Sequence, residues 1–184
     1  MQKLLFIVLL SALALPAQAQ IIIGGNSLHR DCYESVAFSH SATKNAIETC
    51  DMALSIDSAH KNKTASHVNR GILYMRSGDF NSARKDYEKA INLSPNLREA
   101  YVNYGALLIH EKDYDGAITA LNQAVEGETI RNLHEALYNR AIAYDRQDRF
   151  REAYLDLKRA LELRPEWDDA KRAISRYSVA KKSG

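Results

Sequence analysis

The sequence is sparing with the residues that build special scaffolds. It has two cysteines, three prolines and eight glycines among 184 residues. Two cysteines allow one bridge but not a disulfide-built framework. So little proline and glycine excludes a collagen-like or low-complexity chain. Neither sign of charge dominates: 25 Lys and Arg against 23 Asp and Glu leave a formal net charge of +2. That balance excludes a chain that wraps nucleic acid or holds an anionic membrane by bulk charge. Catalytic signatures are missing too. There is no nucleophile elbow, no phosphate-cradling glycine loop, no C-x-x-C and no H-E-x-x-H. The six histidines are scattered at 29, 40, 60, 67, 110 and 134. His60 and His67 are seven apart across an expected loop, which is not the spacing of a helical metal site. No enzyme, cofactor or metal is expected. What remains is 46% hydrophobic and 26% charged residues, an ordinary globular composition.

The first 19 residues read as an export signal. Lys3 supplies a positive start, Leu4 to Leu15 carries no charge, and Pro16 breaks the stretch. Ala17-Gln18-Ala19 is the small-x-small pattern at which signal peptidase cuts, here after Ala19. A spanning helix needs about 20 apolar residues, so the stretch is short for an anchor. The alternative is a buried core helix. Gln20, not Cys, follows the cut, so no lipid-attachment cysteine is in place. The expected product is a periplasmic protein without a stable membrane anchor, in a compartment that permits cysteine pairing.

The body of the chain repeats. HVNRGILYMRSGDFNSARKDYEKAINLSP, YVNYGALLIHEKDYDGAITALNQAVEGET and LYNRAIAYDRQDRFREAYLDLKRALELRP each hold two amphipathic helical patterns joined by a short polar turn. The three units span 64–97, 98–131 and 134–167. Gly71, Gly105 and Ala141 share the eighth place, Ala83, Ala117 and Ala153 the twentieth, and Ala90, Ala124 and Ala160 the twenty-seventh. Small residues at these places let two helices cross at short range. Tyr74 and Tyr144 share the eleventh place with Leu108 between them, and Tyr87, Leu121 and Leu157 share the twenty-fourth. Pro95 and Pro165 end the second helices. The middle unit has Thr129 there, with Gly127 nearby, which predicts a looser joint. Asp79 and Asp113 are placed to cap the second helices of their units.

This period and pattern resemble the tetratricopeptide repeat. The resemblance implies an all-α, right-handed solenoid of helix-turn-helix hairpins. A worn hairpin is expected at 27–60, where Ala46 and Ala53 fit the small places but Glu34 does not. A capping helix is expected at 166–180, with Trp167, Ala170, Ala173, Ile174 and Tyr177 on its inner face and a tail at 181–184. Cys32 and Cys50 fall on the two helices of the worn hairpin, 18 apart, and are expected to pair; two buried free thiols are the alternative. The arm at 20–26 carries Ile21, Ile22 and Ile23 before a glycine pair. It reads either as a disordered tail or as an apolar strip docked on this chain or a neighbour.

In tetratricopeptide arrays the first helix of each hairpin lines an inner groove. The resemblance places Asn69, Asn103 and Asn139 at one position of three successive repeats there. Asparagine both donates and accepts hydrogen bonds, which suits a peptide backbone; the alternative is that it only ties neighbouring helices. Val68, Ile72, Met75, Val102, Ala106, Ile109, Tyr138 and Ile142 complete the floor, with Arg76, His110 and Arg146 at the rim. An apolar floor with polar hooks suits an extended peptide or an amphipathic helix. Chaperone-binding members clamp a C-terminal carboxylate with Lys and Arg. Here Glu99 and Glu135 hold the second place and no lysine joins the groove, which argues against such a clamp. The expected function is non-catalytic binding of a protein or peptide, without nucleic acid. The alternative is a self-associating scaffold whose groove is filled by the isoleucine arm or a second copy.

Overall fold

The computed structural model describes residues 25–38, 42–56, 60–126 and 132–177. The export segment, residues 20–24 of the arm, the joint at Gly127 and Thr129, and the tail lie outside these. The described residues form nine helices: α1 (Gly25–Ala37), α2 (Lys44–Ser55), α3 (His60–Ser77), α4 (Phe80–Leu93), α5 (Arg98–His110), α6 (Tyr114–Val125), α7 (Leu133–Asp145), α8 (Phe150–Leu163) and α9 (Asp168–Ile174). No strand occurs among the described residues. The helices pair as four hairpins in chain order, with α9 packed on α8. The even helices form an outer row. The odd helices α1, α3, α5 and α7 pack on one another as a continuous inner row. The chain is an all-α solenoid.

Small residues set the hairpin spacing. A Cβ added to Gly71 would lie 2.5 Å from Cε1 of Tyr87, and one on Gly105 would lie 2.5 Å from Cγ of Leu121. Ala83, Ala90, Ala117, Ala124, Ala153 and Ala160 are all fully buried. Between them sit the large side chains Tyr87, Leu121 and Leu157, each worth about 1.5–3 kcal/mol on burial. The core runs without a break from Val102 on α5 to Ala170 and Ala173 on α9.

Each full repeat turns between its helices in the same way. Gly78, Lys112 and Asp148 occupy one place and all have positive φ, at 82°, 65° and 58°. The next residue then donates its N–H back across the helix end, as Asp79 does to Tyr74 and Asp113 to Leu108, both at 2.9 Å. Asp79 and Asp113 also cap the following helices, accepting from Ser82 N–H and Gly116 N–H. Only the first of these turns carries the glycine that adopts such a φ without steric cost.

The N-terminal hairpin is built differently. Glu34 is exposed and pairs with Arg30 one turn before it at 3.7 Å. The close approach of α1 to α2 comes instead at Cys32 and Cys50, whose Cα atoms are 4.7 Å apart and whose sulfurs are bonded. Both are fully buried. α1 starts at Gly25, inside the stretch read as an arm, because docking on α2 and α3 outweighs the low helix preference of glycine. α9 is shorter than the 166–180 expectation and ends in a turn at Ser175 and Arg176.

Candidate functional site

The candidate site is the inner row. Asn69, Asn103 and Asn139 stand on α3, α5 and α7 at matching places. Their environments differ. Asn69 is buried, while Asn103 and Asn139 are partly open. Asn103 donates one amide hydrogen to the carbonyl of Glu99 on its own helix, at 2.9 Å. Val68 and Val102, expected on the floor, are buried in core clusters, covered by the stacking of successive repeats. Ile72, Met75, Ile109 and Ile142 remain partly open.

The rim residues are partly committed. Arg76 donates to the carbonyl of Val36 at 3.0 Å, tying α3 to the end of α1. His110 is exposed and stacks on Phe80 of the outer row, with ring centres 3.8 Å apart. Arg146 is exposed. Tyr138 packs against Trp167, centre to centre 4.6 Å, and burial raises the pKa of its hydroxyl. Trp167 also meets the edge of His134 and lies under the Arg164 guanidinium, so it walls off the C-terminal end of the row.

Two concavities mark the ends of the row. The larger holds about 540 Å³ between α1, α3 and the start of α5. Its lining joins Val68, Asn69 and Ala65 to Tyr33 and Arg30 of α1 and to Leu97 and Glu99. His29 stands at its back, bonded through Nδ1 to Ser66 Oγ at 2.7 Å. Burial, and then the charge of Lys63, lower the His29 pKa, so the ring favours its neutral form. The smaller, about 300 Å³, lies between Tyr138 of α7 and Asp169, Arg172, Ala173 and Arg176. Sequence reasoning missed the α1 side of the larger cleft. The worn repeat signature of α1 hid the fact that it extends the inner row, though His29, Cys32 and Val36 already lie at helical spacing.

Ion pairs hold the rows together. Asp86 is buried and accepts Arg70 through both carboxylate oxygens, at 2.8 and 2.7 Å, and His67 at 2.8 Å. Burial pushes the Asp86 carboxyl up, but the bonds from Arg70 and His67 outweigh it and the net shift is downward. Arg140 grips Asp156 in the same bidentate way, at 2.7 and 2.8 Å. These pairs are structural struts. Among the described residues no group of three His, Cys, Asp or Glu is placed to hold a metal ion. Nor is any described helix long and apolar enough to cross a membrane.

Residues 64–97, 99–126 and 134–166 each match the tetratricopeptide repeat, together just over half of the chain. The chain belongs to the tetratricopeptide repeat family. Among similar tetratricopeptide and other proteins, the lipoprotein NlpI homolog of Haemophilus influenzae is 35% identical over 68 residues, 37% of this chain and 22% of its own length. Sperm-associated antigen 1 of Rattus norvegicus is 28% identical over 151 residues, 82% of this chain and 17% of its own. The chain therefore spans about a fifth of the length of these relatives. Solved structures share the fold. PilF of Pseudomonas aeruginosa superimposes with a TM-score of 0.74 at 16% identity, covering 83% of this chain and 66% of that one. MamA of Desulfovibrio magneticus RS-1 gives 0.66 at 22% identity, covering 83% and 82%. The first such domain of Spaghetti (RPAP3), bound to the HSP90 peptide SRMEEVD, gives 0.59 at 24% identity, covering 66% and 92%. Tetratricopeptide arrays typically serve as non-catalytic interaction modules, and no enzyme family is indicated for this chain.

Proposed function

We propose that the chain is a periplasmic receptor whose concave face takes an extended peptide or a helix of another protein. The observation that carries this is the 540 Å³ cleft at the N-terminal end of the inner row. Its walls are largely apolar, and Asn69 on α3 and Tyr33 on α1 are among the polar residues that line it. That combination fits an apolar side chain with a hydrogen-bonded backbone beside it. A peptide-bound neighbour of the same fold is a precedent for the mode of binding. The export reading rests on Lys3, the uncharged stretch and Ala17-Gln18-Ala19.

The test is photo-crosslinking in living cells, with the reactive residue at Asn103 in one strain and Tyr33 in another. Adducts of one foreign protein at both positions are the expected result. Adducts only to this chain, above all to residues 20–25, would refute the receptor reading. Fusing residues 1–25 to alkaline phosphatase checks the compartment, since that reporter is active only after export. An inactive fusion would refute the periplasmic assignment.

A further inference from the structure

The middle full repeat departs from its neighbours on the outer face. Arg70, Tyr104 and Arg140 occupy one place in the three repeats. Asp86, Ala120 and Asp156 occupy a second, on the outer helix of the same repeat. Asp51, Glu88 and Asn122 occupy a third, on the outer helix of the repeat before. In the first and third repeats the arginine is a strap. Arg70 reaches Asp86 on one side and Asp51 on the other, the latter at 2.6 Å. Arg140 reaches Asp156 on one side and Asn122 on the other, the latter at 2.9 Å. Each strap spans the furrow between two consecutive outer helices.

The middle repeat has no strap. Tyr104 donates to Glu88 at 3.0 Å, but Ala120 offers no carboxylate across the furrow. A cleft of about 580 Å³ opens there, walled by α4 and α6 and floored by α5. Ile91, Tyr101, Leu108 and Ala120 make it apolar. Its only charged lining residues are Glu88 and Asp113. Arg84, which hydrogen-bonds Tyr104 at 2.9 Å, is already paired with Glu111 and Glu88. The mouth is thus apolar inside and acidic at the edge.

We propose that this outer cleft is a second docking site, which takes an apolar side chain of a partner protein from a segment that carries lysine or arginine beside it. The acidic edge selects the flanking cations, and the missing strap makes room for the anchor. The site is separate from the concave face, so the two can be occupied together.

The experiment titrates the purified full chain with two synthetic amphipathic helices of equal length, one of leucine and lysine, the other of leucine and glutamate. The lysine peptide is expected to bind at least about tenfold tighter. The double variant Tyr104→Arg/Ala120→Asp rebuilds the strap without changing net charge, and is expected to weaken that binding at least about tenfold. Should that variant fail to fold, Glu88→Lys at the half-exposed edge serves, and is expected to abolish the preference for lysine. A crosslinker at Gln123 should mark the lysine peptide. Absent binding, equal affinity for both peptides, or binding indifferent to these variants would overturn the proposal. So would a concentration-dependent mass of the wild type that disappears in the strap variant, since the occupant would then be a second copy.

Discussion

Replacing Gly71 by alanine adds one methyl group and sets two physical effects against each other. Alanine is the better helix former, which favours the variant by up to about 1 kcal/mol. The new Cβ would stand 2.5 Å from Cε1, 2.9 Å from Cδ1 and 3.0 Å from Cζ of Tyr87. Carbon atoms prefer about 3.5–4.0 Å, so the ring must retreat by about 1 Å. It has little room, because Tyr87 is 1% exposed and packs with Ala83 and Leu107. Overpacking of this kind costs about 1–3 kcal/mol. The crowding wins, and Gly71→Ala should lose about 1–2 kcal/mol net, or roughly 2–8 °C in Tm for a chain of this size. The assay is urea unfolding followed by helical circular dichroism. The control removes the crowding atoms: in a Tyr87→Ala background, where no ring faces the new Cβ, the added methyl should cost less, by at least about 0.5 kcal/mol. A Gly71→Ala variant as stable as the wild type, or the same cost in both backgrounds, would refute the reasoning.

Other outcomes follow from the struts and the stapled hairpin. Thiol titration of the denatured, unreduced protein should find no free cysteine, and reduction should release two; opening the Cys32–Cys50 loop should cost about 3 kcal/mol in the chain-entropy model, read as a lower urea midpoint. Asp156→Ala leaves Arg140 without its bidentate partner in a largely buried site and should cost about 3–5 kcal/mol. The exposed Arg172–Asp169 pair is the contrast: Asp169→Ala should cost under about 1 kcal/mol, and equal losses would sink the distinction. His29 has a lowered pKa in the fold, so the unfolded chain binds a proton more readily. Its contribution to stability is therefore present above the ordinary histidine pKa of about 6.5 and is lost as pH falls below it. Urea midpoints of wild type and His29→Gln at about pH 8 and about pH 5 should show a steeper acid loss in the wild type; parallel loss would assign the slope to other groups.

The repeat was legible because its physics is local. Small residues at fixed places mark where helices cross, and the two aspartate caps, Asp79 and Asp113, sit one residue before their helices. The turn geometry was only partly legible. Glycine at 78 announces a left-handed residue, but Lys112 and Asp148 adopt the same backbone without any signal of their own. There the docking of the two helices overrides the preference of one residue. The groove was legible as a set of inner-facing places, yet not as a shape. Which of those places stay open depends on how far each repeat covers the one before, and this buried Val68 and Val102. The contribution of Tyr33 and Arg30 was hidden because α1 lacks the small-residue signature that marks an inner helix.

By itself, then, the sequence determined the hairpin unit, its period, its caps and the candidate pairing of Cys32 with Cys50, since all of these depend on spacing within about one repeat. The tertiary structure alone decided which arginines become straps, that Tyr104 and Ala120 leave a furrow unfilled, and that α1 completes a cleft with α3 and α5. Those features join residues from three helices. They follow from the angle and distance at which rigid hairpins stack, which residue spacing along one helix does not encode.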